Sequence, residues 1–322
     1  MRFLAAGLAI VVAGIPMTAA AQRYPEKSIR FIAPYAPGGA TDLLTRTLAQ
    51  KLTESLGQTV VPDNRPGAGG NVGAEIAARS APDGYTILLA PVSPMAINVS
   101  LYGKKLPFNP EKDFAPITLV AKVPLVIVVN LNVPAKTMQE FIALAKSRPG
   151  RMTYGSSGNG SANHLAGVLF ASMTKTDLIH VPYKGAGPAG IALLSGETDF
   201  MFGNISSSIQ YVRQGRIRAI ATTGAKRSTV VPDVPTVTES GVPGFVVTGF
   251  YILLAPAGTP AEVLSRLNAE SAKAMESTVM KDRVANLGLE SVGRSAAECN
   301  QLIKSEIAKW APIVKASGAK AD

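Results

Sequence analysis

Along most of the chain, short apolar runs rich in β-branched residues alternate with amphipathic stretches of helical period. That alternation is the pattern of repeated strand–helix units, not of a sandwich or a bundle. Residues 28–33 (SIRFIA) predict a strand, and after a Pro37-Gly38-Gly39 turn the stretch 41–56 places Leu43, Leu44, Leu48 and Leu52 at helical spacing. Thr41 is the expected N-cap of that helix, with Asp42 in a first turn whose dipole favours a carboxylate. A strand at 59–61, a Gly-rich turn at 64–70, a helix at 74–79 and a strand at 86–89 complete one α/β unit.

The same grammar restarts with a strand at 125–129, a helix at 137–147 and a strand at 152–154. Helices at 163–173, 188–194 and 205–214 then alternate with strands at 178–181, 200–202 and 217–221. After an apolar run at 245–254, the stretches 261–276, 280–286 and 296–315 read as helices with no strand among them. Helices alone cannot bury their apolar stripes, so this tail is expected to pack back on the first unit. The chain would then cross between units near 117–123 and again near 246–253, which makes a hinge. The expected architecture is a two-lobed α/β protein: residues 22–122 plus 249–322 form one lobe and 123–248 the other. Between them lies a cleft, the usual home of a small ligand.

Residues 1–21 break the alternation. Met1-Arg2 precedes an apolar run that ends in Ala19-Ala20-Ala21, the form of a signal peptide cleaved after Ala21. The run falls short of the ~20 residues a membrane span needs. No cysteine follows the cut, so a soluble periplasmic protein is expected. With 322 residues, 47% of them hydrophobic, the chain can fill one or two cores and is too apolar to be disordered.

Charge adds a question about partners. The chain carries 32 Lys and Arg against 22 Asp and Glu, a formal charge of +10. Such a surplus points to nucleic acid, an anionic membrane or a small anion. Export and the scatter of the basic residues argue against nucleic acid, and no anchor singles out a membrane. One cysteine, Cys299, excludes a disulfide framework and a CxxC zinc or redox centre. With only two histidines, no metal and no cofactor are expected, and a monomer suffices.

Three loops stand where a strand hands over to a helix, the place where backbone N–H groups and the helix dipole face a ligand. The first carries Pro37, Gly38, Gly39, Thr41 and Asp42; the second Ser156, Ser157, Gly158 and Ser161; the third Tyr183, Lys184 and Gly185. Glycine allows close backbone approach, and the hydroxyls and the Lys can donate to an oxygen. Enzyme motifs fit poorly. Gly185 to Gly190 satisfies G-x-G-x-x-G, but no acidic residue follows at about twenty positions. Gly155-Ser156-Ser157-Gly158-Asn159 misses the G-x-S-x-G elbow by its last residue. A hydrolase using Ser157 or Ser161 with His164 would lack a third triad member. His164 reads rather as a residue that orders its loop or packs at the cleft rim, Asp42 equally well as a cap paired with Arg46, and Asp199 as a cleft contact or a turn end.

Read in order, the loops resemble the Bug family, the extracytoplasmic solute receptors of tripartite tricarboxylate transporters. The resemblance rests on Tyr24-Pro25-Glu26-Lys27, Pro37-Gly38-Gly39, Asn64-Arg65-Pro66-Gly67-Ala68-Gly69-Gly70 and Ala81-Pro82-Asp83-Gly84-Tyr85. It continues through Tyr154-Gly155-Ser156-Ser157-Gly158, His180-Val181-Pro182-Tyr183-Lys184-Gly185, Pro232-Asp233-Val234-Pro235 and Leu254-Ala255-Pro256-Ala257-Gly258. It implies a type II periplasmic-binding-protein-like fold that holds a small carboxylate and delivers it to a membrane permease, with no enzymatic role. Carried onto this chain, the family's clamp falls on residues 37–42, the stretch around Ser93, residues 155–161 and residues 183–185, with Asn204 after the Phe202-Gly203 pair. Three positions depart from the family pattern: Met95 where relatives often have His, Gly203 where many have Asp, and Phe250-Tyr251-Ile252 where relatives often have Trp-Phe-Gly. These departures lead to the expectation of an aromatic or weakly polar carboxylate over citrate or aspartate. Signalling through a sensor partner is the alternative to uptake.

Overall fold

The computed structural model describes residues 24–183, 185–293 and 295–321. The leader and Lys184 lie outside the described residues.

The first unit opens with β1 (Ile29–Ala33), in which Ile29, Phe31, Ile32 and Ala33 are all fully buried. Apolar residues on both faces mark an interior parallel strand. α1 (Ala40–Leu56) follows and stops at Gly57, whose left-handed φ of 71° donates its N–H back to Thr53. β2 (Val60–Asn64), a 3₁₀ turn, α2 (Asn71–Ala78) and β3 (Thr86–Pro91) complete the unit. Behind β3 the chain forms a π-turn at Ser93–Ile97 that runs into α3 (Asn98–Tyr102), two elements the alternation does not signal.

β4 (Phe114–Asn130) is one strand of 17 residues. The sequence predicts a crossing segment and a separate strand there; instead the β-branched run continues unbroken. Its ladder absorbs Pro116 at an irregular register step between Pro116 and Thr118. The second unit then runs through α4 (Met138–Ser147), β5 (Met152–Ser156), α5 (Ala162–Thr174), β6 (Leu178–Pro182) and α6 (Ala186–Ser195). β7 (Phe200–Asn204), α7 (Ile205–Arg213) and β8 (Ile217–Thr222) follow. The chain returns along β9 (Thr248–Pro256) and ends in α8 (Ala261–Glu276), α9 (Thr278–Asn286), β10 (Glu290–Ser291) and α10 (Ala296–Ser317).

The strands order as β2-β1-β3-β9-β4-β7-β5-β6, with β10 and β8 also on β4. β4 divides between two neighbourhoods. From Phe114 to Pro124 it pairs with β9, and from Leu125 to Asn130 with β7 and β8. The exchange of partners takes a single step, from Pro124 opposite Thr248 to Leu125 opposite Asn204.

Three apolar clusters hold these layers. One lies under α1, α8 and α9 and contains Leu44, Leu48, Leu267 and Met280. Another lies under α6 and α7 around Ile209 and Leu193. The largest is continuous from α2 to α5 and includes Phe141, Phe170, Phe200, Phe202 and Phe245. Phe141 meets Phe200 edge-on at 4.8 Å, and each such ring contributes about 1.5–3 kcal/mol by burial. The tail departs from expectation in two respects. β10 is a strand among the helices, paired antiparallel to β4. α10 also reaches beyond the first unit, because Trp310, Ile313 and Val314 join the cluster that contains Phe170 and pack against α5.

Candidate functional site

A cavity of about 810 Å³ opens where the ends of β1, β3, β5 and β7 meet the crossing strands β4 and β9. Four helices begin at its wall: α1 at Gly39-Ala40-Thr41, α5 at Ser161-Ala162-Asn163, α6 at Gly185-Ala186-Gly187, and α7 at Asn204. The N-caps of α1, α6 and α7 make no side-chain hydrogen bond, so the first-turn amides of those helices remain available. No Asp, Glu, Lys, Arg or His lies among the described lining residues. Among the described residues, an anion here would be met by amides, helix dipoles and hydroxyls rather than by a cationic side chain.

Of the residues the sequence singles out, Pro37, Gly39, Thr41, Ser93, Ser157, Gly158, Ser161, Gly185 and Asn204 line the cavity. Thr41 is not the cap of α1. Gly39 takes the extended cap conformation (φ −83°, ψ 173°), and the Thr41 hydroxyl turns to Tyr251 instead. Ser157 donates to Asn163 Oδ1 at 2.6 Å, and the Asn163 amide in turn donates to the Phe202 carbonyl. Ser161 caps α5 by accepting from the His164 N–H at 3.3 Å while donating to the Gly158 carbonyl at 2.7 Å.

Six others stand behind that wall. Gly38 (φ +90°) donates its N–H to Asp42 Oδ2 at 2.9 Å. Asp42 is only 3% exposed and also pairs with Arg46 at 2.9 Å, so it fixes the 37–41 loop from beneath. Burial works to raise its carboxyl; Arg46, the Gly38 amide and Asn64 outweigh burial and hold it below the ordinary value. Ser156, fully buried, contacts His180 Nε2 at 2.6 Å and accepts from the Gly158 N–H at 3.1 Å. His164 accepts from the Gly160 N–H through Nδ1 at 3.1 Å and stacks on His180 at 3.8 Å between ring centres. Burial lowers His164 to about 4; burial and then the neighbouring His164 lower His180 to about 4. Both rings are therefore neutral near pH 7, and the pair braces the 156–161 loop from behind. Tyr183 donates to Glu197 at 2.8 Å, away from the cavity. Asp199 accepts from the Thr153 N–H at 2.7 Å and from its hydroxyl at 3.0 Å, which ties β7 to β5 at the ends remote from the cleft.

These placements remove the geometry of a serine hydrolase built on Ser157 or Ser161 with His164. Ser157 and Ser161 each donate to an oxygen acceptor, and His164 spends Nδ1 on a backbone amide.

Sequence reasoning missed part of the wall: Tyr35, Asn98, Leu101, Tyr102 and Asn163. Tyr35 precedes the Pro37 turn, and Asn163 opens a helix; adjacency to a loop already in view is the only signal either gives. Burial, then the nearby Tyr251, pushes the Tyr35 phenol up to about 12 despite its bond with Ser93, so the hydroxyl keeps its proton as a donor. The departures at residues 95, 203 and 252 also need correction. Met95 is fully buried in the core, a Cβ at Gly203 would run into the Ser208 hydroxyl, and Ile252 sits in the ladder opposite Ala90 and Leu119. None of the three lines the cavity; of the segment 250–252, only Phe250 and Tyr251 do.

Comparison with known proteins agrees with this geometry. Residues 44–319 match the family model described as "Tripartite tricarboxylate transporter family receptor". The chain is 38% identical to Protein BugT of Bordetella pertussis (strain Tohama I) over 98% of this chain and 96% of that protein. A solved structure described as R. palustris Rpa4515 with adipate superposes with a TM-score of 0.84 at 33% identity, covering 92% of this chain and 99% of that one. MatC (Rpa3494) from Rhodopseudomonas palustris with bound malate gives 0.80 at 32% identity, over 90% and 100%.

Proposed function

This chain belongs to the tripartite tricarboxylate transporter receptor (Bug) family, a solute receptor of periplasmic-binding-protein-like fold and not an enzyme, and we propose that it holds a small carboxylate of apolar body in the cavity beside β4 and β9. The observation that carries the proposal is the convergence of four helix N-termini on a cavity with no charged side chain among its described lining residues. Amides at a helix start stabilise a carboxylate without the desolvation that a buried Lys or Arg would incur. Likeness to receptors solved with adipate and malate supports a carboxylate ligand.

The lobes in this proposal are residues 22–122 plus 249–322 and residues 123–248. The partner exchange of β4 at Pro124 and Leu125 supports a hinge there. The carboxylate docks on the amides of α1 with Ser93, Tyr35 and Tyr251, and closure brings the starts of α5 and α6 onto it with Ser157 and Ser161. The closed monomer then presents its ligand to a tripartite permease in the periplasm, after cleavage of the leader at Ala21.

Tyr251, Tyr35, Tyr102 and Leu101 give the wall its apolar area and favour an aromatic or weakly polar acid over citrate or aspartate. Thermal-shift titration of ligand-stripped, refolded protein with adipate, malate, citrate, aspartate and benzoate tests this. The expected order places adipate or benzoate first. A shift with citrate or aspartate but with no other acid refutes the apolar-body reading, and no shift with any acid refutes the receptor site.

A further inference from the structure

A second cavity, of about 390 Å³, lies on the other face of the same two strands. Successive strand residues point to opposite faces: Val123 and Leu125 of β4 line the ligand cavity, whereas Lys122 lines the second one. Only Gly249 and Phe250 of β9 border both, so this short stretch of backbone is the wall between them. At about 30 Å³ per water, the second cavity has room for roughly a dozen waters or one small solute.

Its charges come from four elements: Lys122 on β4, Lys226 after β8, Glu290 on β10, and Glu306 with Lys309 on α10. Two of them are spent on each other. Glu306 accepts from Lys309 at 3.0 Å and from the Trp310 indole at 2.8 Å. The other three are not. Lys122 and Glu290 are direct cross-strand partners in the β4–β10 ladder, yet neither they nor Lys226 makes an ion pair among the described residues. Directly opposed side chains share a face with Cβ atoms about 5 Å apart, so one unpaired cation and one unpaired anion stand side by side at the cavity wall. Val246, Phe250, Val292 and Leu302 supply an apolar floor.

We propose that this cavity is a second binding site, for a small zwitterion with an apolar side chain, an α-amino acid. Its carboxylate lies between Lys122 and Lys226, its ammonium on Glu290, and its side chain on Phe250, Val292 and Leu302. The arrangement uses all three unspent charges in charge-assisted contacts and leaves none facing only its own sign. The proposal does not depend on which acid fills the front cavity, because no charged residue of the second site lines the first.

With the front cavity saturated by whichever acid gives the largest thermal shift, isothermal titration of the full mature chain with L-leucine is the test, beside two half-analogues: 4-methylpentanoate, which lacks the ammonium, and 3-methylbutylamine, which lacks the carboxylate. L-Leucine is expected to bind with one-to-one stoichiometry, and each half-analogue roughly tenfold or more weaker. Lys122→Met and Glu290→Gln are each expected to weaken leucine by a similar factor while leaving the thermal shift with the front-cavity acids in place. Circular dichroism melts of both variants confirm that they fold. Absence of heat at leucine concentrations on the order of 10 mM overturns the site. So does a leucine isotherm unchanged in both folded variants, which would place leucine elsewhere. Equal affinity for leucine and 4-methylpentanoate overturns the zwitterion assignment.

Discussion

Acid should loosen the cleft through the stacked His164–His180 pair, and the effect has a definite sign. In the unfolded chain an imidazole takes its proton near 6.5; in the folded protein His164 does so only near 4, because its ring is 5% exposed and packed against a second ring. Between those values the unfolded state holds more protons, so stability falls as pH falls. The contribution is complete above 6.5 and lost at about 4. At about 1.4 kcal/mol per pH unit, His164 accounts for about 3 kcal/mol across that interval. His180 adds less than its own lowered value implies, since its half-buried ring keeps access to water. Protonation also converts His164 Nδ1 from acceptor to donor, facing the Gly160 N–H that it now receives at 3.1 Å. The 156–161 loop should therefore release ligand before the protein unfolds. The chain has two histidines, so the imidazole resonances of a proton NMR titration assign readily against a His180→Gln variant. Urea midpoints of wild type and His164→Gln between pH 7 and 4 give the slope difference. An imidazole that titrates at 6 or above, or parallel slopes for wild type and His164→Gln, would refute the reasoning.

Three further outcomes are expected. Gly39→Leu should fold, since a Cβ there meets no atom within 4 Å and φ is −83°; it should cost about 1 kcal/mol of capping yet lower carboxylate affinity at least tenfold by calorimetry, and unchanged affinity would remove Gly39 from the site. Asp42→Asn should cost about 1–3 kcal/mol in a urea titration, because the Arg46 pair and the Gly38 N–H lose their charge. The wild-type excess should be present above the ordinary carboxylate value, begin to decline there, and be lost as pH falls on through the lower value of the folded carboxyl. Gly160→Ala should weaken ligand binding, because the new methyl would collide with Leu101 on α3; Leu101→Ala in the same chain should restore part of the loss, and additive losses in the double variant would show that the two residues do not meet in the bound state.

The sheet units were legible because alternation and helical spacing are local properties. β1, α1, α8 and the strand–helix handovers that carry Gly39, Ser157, Ser161 and Gly185 follow from runs of a few residues. Elements set by distant partners were not. β4 reads as two pieces until β9 and β7 pair along its whole length, and β10 is too short to show a period. The same holds for side chains. Asp42, His164 and Asp199 look like ligand contacts in one dimension, but their direction depends on Arg46, Gly160 and Thr153.

By itself, the sequence determined an α/β alternation with Gly- and Ser-rich loops at helix starts, from which an exported receptor for an anion held by backbone is the expectation. Only the tertiary structure decided that four of those helix starts share one cavity, that no charged side chain joins them among the described residues, and that Tyr35, Tyr251 and Phe250 close its wall. The reason is physical. A helix terminus is written in adjacent residues, whereas the meeting of several termini requires β4 and β9 to place two sheets end to end, and that is a property of long-range pairing.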